Sequence, residues 1–257
     1  MTRQIRKSTL FLIMLVTFII GAVPHDGYAQ EVDMPAVDFT VFIEINATDG
    51  DAGLQGKLDG DAWNLATVMR PDGATIFEFT PQNNLMDHGV TELQWESNEP
   101  PFTELPLIDF LSLFPAGVYT AQIVTIEGEP LMDSSELTHN LPAGPVIIAP
   151  EADAVVASGE DLAVMWEPVV DDILRPGAGD LGSAIGSYIV VVEYETEEAN
   201  EDLTLLISAD ETQAIIPGSF LKPDRIYKIE VGAREEGGNQ TFTEHEICTG
   251  VCPEEEE

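Results

Sequence analysis

The stretch that decides the fold reads LKPDRIYKIEV, residues 221–231. A Pro-Asp turn leads into a segment in which Tyr227, Ile229 and Val231 alternate with more polar residues. Because successive side chains of a strand point to opposite faces, this period of two predicts a strand with one buried face. The same pattern recurs in three upstream segments, Leu162–Trp166, Tyr188–Tyr194 and Leu203–Ile207. The second half of the chain is therefore predicted to be a β-sandwich.

The first half of the chain carries its own strand pattern. Alternation is clearest in Val37–Ile45, and further strands are predicted at Trp63–Met69, Thr75–Phe79, Glu92–Glu96, Val118–Ile126 and Leu131–Thr138. One short helix is predicted through Leu107, Phe110, Leu111 and Phe114, with Thr103 as its N-cap. The expected fold class is all-β, with two β-sandwich-like domains, the first containing one short helix.

Four segments are expected along the chain. Residues 1–29 read as a signal peptide, because a basic start precedes an apolar run and the small residues Gly27 and Ala29 precede Gln30. The alternative, a membrane anchor, is disfavoured because the apolar run is shorter than the ~20 residues that a bilayer requires. An N-terminal β-rich domain (30–142), a second β domain (145–247) and an acidic C-terminal tail (248–257) follow. The product is expected to be exported, periplasmic or extracellular, without stable membrane insertion after cleavage.

The charge of the chain restricts its partners. The full sequence has 47 acidic and 10 basic residues, and removing residues 1–29 leaves 46 acidic and seven basic residues, a formal charge of −39. Such a surface repels nucleic acid and attracts cations. No nucleic-acid partner is therefore expected.

The second half resembles a fibronectin type III domain, which is an immunoglobulin-like sandwich. The resemblance covers residues 145–247 and rests on four aromatic or apolar anchors in order, Trp166, Tyr188, Leu221 and Tyr227. It implies that Trp166 and Tyr188 fill the core and that Tyr227 makes a corner hydrogen bond. The long segment 169–187 between the second and third strands departs from the family pattern. The whole chain also resembles uncharacterised exported bacterial proteins that join such a domain to an N-terminal β domain, through the stretch INATDGDAG at 45–53.

One stretch of the first half is a candidate cation site. Asp49 and Asp51, and then Asp59 and Asp61, lie two residues apart beside glycines, as in turns that offer several oxygens to a hard cation. If the two turns face each other across a hairpin, the four aspartates are candidate ligands and calcium is the candidate cofactor. The alternative is that they are plain solvated β-turns, because the stretch lacks the spacing of an EF-hand loop.

The two cysteines, Cys248 and Cys252, lie close together near the C-terminus. In an exported protein a small disulfide loop is the expected state. A metal site is disfavoured because no second pair of cysteines or histidines supplies the remaining ligands. The two glycosylation tripeptides, at Asn46 and Asn239, are attributed to chance.

No sequence motif indicates catalysis. His88, His139 and His245 are isolated, and no nucleophile elbow or phosphate loop is present. The leading hypothesis is therefore a secreted non-catalytic binding or scaffolding protein with an unknown protein or carbohydrate ligand. The alternative is a carbohydrate-binding or enzyme-accessory module, which would require Trp63 or Trp95 to be exposed rather than in the core. A third hypothesis is a subunit of a cell-surface assembly that pairs through edge strands.

Overall fold

A computed structural model describes residues 37–196 and 200–252. The predicted signal peptide lies outside these residues, as do residues 253–257 of the acidic tail and the start of the first domain. The described part is all-β, as predicted, with fourteen strands and two short helices. The strands are β1 (Val37–Asn46), β2 (Asp51–Met69), β3 (Thr75–Phe79), β4 (Val90–Glu96), β5 (Gly117–Thr125), β6 (Pro130–Leu137), β7 (Ile147–Ala149), β8 (Val155–Val156), β9 (Leu162–Trp166), β10 (Ile185–Glu195), β11 (Asn200–Ser208), β12 (Gln213–Ile216), β13 (Arg225–Glu235) and β14 (Gln240–Thr249).

Two sheets contain these strands. The larger has the order β11-β10-β13-β14-β1-β2-β5-β6, with β3 and β4 also pairing with β2 and β8 pairing with β14. The smaller has the order β12-β9-β7. The larger sheet passes from the second half to the first through a parallel pairing of β1 with β14, in which Glu44 lies beside Gln240.

The long strand β2 organises the first half. Its beginning pairs with β1 and β4, and its end pairs with β3 and β5. The pairing shifts between Asp59 and Trp63, where β2 leaves one set of partners for the other. The prediction of a turn at Asp59-Gly60-Asp61 is therefore wrong, because these residues lie within a 19-residue strand. Strand switching of this kind lets one strand serve both layers around a core.

On the edge of β1 that faces away from β2, side-chain oxygens accept hydrogen bonds from backbone amides. The amide of Phe39 donates to an Asp133 carboxylate oxygen at 3.0 Å, and the amide of Val41 donates to the Ser135 hydroxyl at 3.2 Å. Both acceptors belong to β6, whose alternate residues point inward. These bonds satisfy backbone donors that would otherwise form an exposed pairing edge.

The helices are short and lie in the first half. The predicted one, α2 (Leu107–Leu113), buries Phe110 and Leu111. Thr103 is not its cap, because the helix begins after Pro106, whose fixed φ suits a helix start. The second, α1 (Asn84–His88), has no buried residue, so no apolar period marked it in the sequence.

Each half has its own hydrophobic core. One cluster joins residues between Val37 and Leu141, and the other joins residues between Val164 and Ile247. Contacts nevertheless group Pro35–Glu257 as one compact unit. The division into domains 30–142 and 145–247 stays a prediction about independent folding. Within residues 37–196 and 200–252, no helix combines the length and apolar character that crossing a membrane requires.

Candidate functional site

The four anchors of the second half meet in one core. Trp166, Tyr188, Leu221 and Tyr227 are all almost fully buried, and the rings of Trp166 and Tyr188 lie 5.3 Å apart. Trp166 lies on β9 of the small sheet and Tyr188 on β10 of the large one, so their contact joins the two layers.

The Tyr227 hydroxyl ties the loop before β13 to its own strand. It donates to the carbonyl of Phe220 at 3.0 Å and accepts the amide of Lys222 at 2.8 Å. A buried hydroxyl with a donor and an acceptor partner costs little to bury and orders the corner. The corner bond implied by the family resemblance is present at this residue.

The four predicted aspartates are not brought together. Asp49 lies in the turn between β1 and β2, and Asp51 is the first residue of β2. Asp59 and Asp61 lie on the same strand as Asp51, roughly 26 Å and 33 Å further along at about 3.3 Å per residue. Asp59 pairs instead with Lys57, at 3.5 Å between charged atoms. One four-aspartate site therefore has no geometric basis in this fold.

A different carboxylate cluster forms where β1, β2 and the end of β4 meet. Glu44, Glu96 and Glu99 each place a carboxylate oxygen within 4.8 Å of the others. Gly53 of β2 makes the approach possible, since a Cβ built there would lie 2.8 Å from a Glu99 oxygen. We call these three residues the glutamate cluster.

Amide side chains hold two of the three carboxylates. Gln240 of β14 donates to Glu44, and Gln55 of β2 donates to Glu96. The other end of the Gln240 amide accepts the Arg234 Nε at 2.9 Å. The cluster thus lies against the β1–β14 pairing that joins the two halves.

Burial and mutual repulsion raise the pKa values of these acids. Burial, with the charge of Glu96 next, raises the pKa of Glu99 to about 8. Burial also raises the pKa of Glu44 and of Glu96. Asp51, close by, has its pKa raised to about 6 by burial and by the charges of Asp49 and Glu244. Glu99 is therefore the carboxyl group of this cluster that holds a proton at neutral pH.

Sequence reasoning included Asp51 but missed the three glutamates. Glu96 and Glu99 lie three residues apart, but Glu44 lies 52 residues before Glu96, so only the pairing of β1 and β4 with β2 brings it to the other two. A glycine at position 53, opposite Glu44 in the β1–β2 pairing, was the one local signal. Its meaning depends on the position of Glu99, which follows β4.

We expect Glu99→Gln to stabilise the protein at alkaline pH. The pKa of Glu99 is higher in the folded chain than in the unfolded chain, so its stabilising contribution is complete below about pH 4.5 and is lost as pH rises through about 8. Because Glu99 is partly solvent-exposed, the loss amounts to about 1–2 kcal/mol after screening. Urea unfolding at pH 5 and pH 8.5 measures the difference between wild type and variant.

The matched control for that measurement is Glu104→Gln, an exposed position before α2. It removes the same formal charge without touching the glutamate cluster. A gain at pH 8.5 that is equal in both variants would reduce the effect to overall charge and contradict the local explanation.

The tryptophans of the first half differ in exposure. Trp63 is fully buried and meets Phe79 edge-on at 5.7 Å. Trp95 is half-buried and stacks on Phe77 at 4.8 Å between ring centres. Trp63 is thus a core residue, and Trp95 alone has surface open to a ligand.

Cys248 and Cys252 form a disulfide at the end of β14. The loop that it closes contains only three residues, so it constrains the chain locally. It holds the segment after β14 against the turn before β13, where Val251 donates its amide to Asp224 at 2.9 Å.

Comparison with known proteins gives a fold likeness only. No protein-family model matches the chain, and no curated protein matches it. Among solved structures, the FN1–FN3 domains of chicken CNTN1 are similar, with a TM-score of 0.34 and 12% sequence identity. The match covers 82% of this chain and 66% of the length of that one.

Proposed function

We propose that the chain is an exported, non-catalytic binding or scaffolding protein. The observation that carries the proposal is the β1–β14 pairing, which continues one sheet across both hydrophobic cores. Because one sheet runs through both halves, the surfaces of the two halves are held in a fixed arrangement. The use of sheet surfaces and loops for binding is common in all-β folds.

We also propose that residues 145–247 are a fibronectin type III-like domain. The burial of Trp166, Tyr188, Leu221 and Tyr227 in one core supports this assignment. The two hydrogen bonds of the Tyr227 hydroxyl support it further. The packing of three strands against four agrees with a sandwich of that type.

Export is supported by the predicted leader and by the chemistry of the cysteines. The disulfide between Cys248 and Cys252 is of a kind that persists in oxidising compartments.

The carbohydrate-binding alternative requires an exposed tryptophan, and one of its two candidates is buried. Trp63 has no exposed surface, and a sugar-stacking platform would have to use Trp95 alone. Quenching of tryptophan fluorescence by acrylamide measures the exposure of the indole, and acrylamide is suitable because it is uncharged and the protein is strongly acidic. If Trp95 is a sugar-stacking platform, Trp95→Ala is expected to abolish sugar binding.

The test of the proposed function is affinity capture with residues 30–257 from envelope proteins of the source cells. We expect a defined protein partner, and a Kd below about 10 µM when the pair is reconstituted from purified components. Running the capture with millimolar calcium and with a chelator tests whether binding of the partner depends on calcium. Binding to a glycan array that Trp95→Ala abolishes would favour the alternative, and turnover of a captured molecule would contradict a non-catalytic role.

A further inference from the structure

The segment 169–187, which follows β9 and includes the first three residues of β10, contacts the chain where it leaves the first half. The amide of Ala143 donates to the carbonyl of Asp171 at 2.9 Å, and the amide of Ile173 donates to the carbonyl of Leu141 at 2.9 Å. Pro142 and Asp172 form an isolated antiparallel bridge. The Pro/Gly connection at 141–145 is therefore paired backbone rather than a free linker.

Three side chains of the segment strengthen this contact. Asp172 is 2% exposed, and its carboxylate accepts the amides of Leu141 at 3.3 Å and Leu174 at 2.8 Å. Arg175 lies 3.6 Å from the same carboxylate. Ile173 packs against the hydrophobic core of the first half, although it belongs to the second half.

The C-terminal part of the segment, at Ser183, is also hydrogen-bonded to residues at the boundary between the halves. Ser183 donates its hydroxyl to Glu235, a buried carboxylate that also accepts the amide of Asn239 at 3.2 Å. Asn239 in turn accepts the amide of Ile43 at 2.9 Å and donates to the carbonyl of Asn140 at 3.1 Å. Both ends of the segment are therefore bonded into the boundary between the halves.

We propose that the 169–187 segment is a clasp that makes the two halves unfold as one cooperative unit. Interfaces between neighbouring domains are usually small, so relative motion is the ordinary expectation. Here buried backbone donors and acceptors on both sides depend on one another, and opening the junction would leave them unpaired. The clasp acts within the chain and needs no ligand.

Hydrogen exchange of the wild-type chain, residues 30–257, tests the clasp without substitutions. The amides of Leu141, Ala143 and Ile173 are expected to exchange as slowly as those of Val190 and Ile229 in the second core. Exchange of the three junction amides more than about 100-fold faster than those core amides would overturn the proposal.

Substitution tests the same point in the opposite direction. Scanning calorimetry of the wild type is expected to give one transition, and Asp172→Ala combined with Ile173→Ser to give two. Proteinase K cleavage within 141–145 is expected to accelerate at least tenfold in that double variant. Val170→Ser, at a residue 58% exposed in the same segment, is the matched control and should behave as wild type. Two transitions in the wild type, or one lowered transition with the connection still protected, would overturn the proposal. If the double variant does not fold, the exchange measurement decides.

Discussion

Replacing Asn239 with alanine is expected to destabilise the protein by about 3 kcal/mol. Asn239 belongs to the second half and is 1% exposed, and its side chain is hydrogen-bonded to residues of the first half. Its oxygen accepts the amide of Ile43 at 2.9 Å, and its nitrogen donates to the carbonyls of Thr138 and Asn140, each at 3.1 Å. Alanine would leave a buried amide without an acceptor and two carbonyls without this donor, and water has little access to replace it.

The measurement is the free energy of unfolding from urea titration, with the melting temperature expected to fall by roughly 6–12 °C in a chain of this size. Asn98→Ala, at an exposed position after β4, is the control and should change stability by less than about 0.5 kcal/mol. A loss for Asn239→Ala as small as that of the control would refute its role in joining the halves.

Replacing Gly56 with alanine is expected to cost about 2–3 kcal/mol, because the new methyl group overlaps an indole. Gly56 on β2 lies opposite Trp95 on β4, and a Cβ built at Gly56 would lie 2.0 Å from Trp95 Cζ2. Trp95 also stacks on Phe77, at 4.8 Å between ring centres. We expect the ring to be displaced towards solvent, with greater quenching of tryptophan fluorescence by acrylamide.

A double-mutant cycle isolates this overlap. With Trp95→Ala in place, Gly56→Ala should cost less than about 0.5 kcal/mol, since the methyl group then has room. Gly186→Ala is the matched strand-glycine control, because a Cβ there would have its nearest neighbour at 3.6 Å. An equal cost of Gly56→Ala with and without the indole would place the effect in the backbone and contradict the packing explanation.

The two halves differed in how far their sequences could be read. In the second half, alternation predicted strands with one buried face at Tyr188 and Tyr227, the family resemblance implied a core role for Tyr188 and a corner role for Tyr227, and both are buried. In the first half the strand at Val37–Ile45 was found, but the Asp-Gly residues near position 60 were read as a turn. Local residue preference favours a turn there, and pairing with β1 and β4 overrides it. The short strands β7, β8 and β12 were missed because two to four residues are too few to establish a period.

The residues at the junction were read least well. Asn239 drew attention only as part of a glycosylation tripeptide, and the 169–187 segment only as a departure from a family pattern. Each has a role that depends on residues about 30 to 200 positions away, such as Leu141 for Asp172 and Ile43 for Asn239. No local spacing encodes such partners.

The sequence by itself determined that this chain is all-β, acidic and built around two apolar cores, because alternation and charge are local properties of the residues. The tertiary structure decided that the two cores share a sheet and that Asp172 and Asn239 form hydrogen bonds across the boundary between the halves. It also decided that Glu44, Glu96 and Glu99 lie close together. The physical reason is that hydrogen bonds, packing and repulsion act over a few ångströms in space, and strand pairing sets which distant residues come that close.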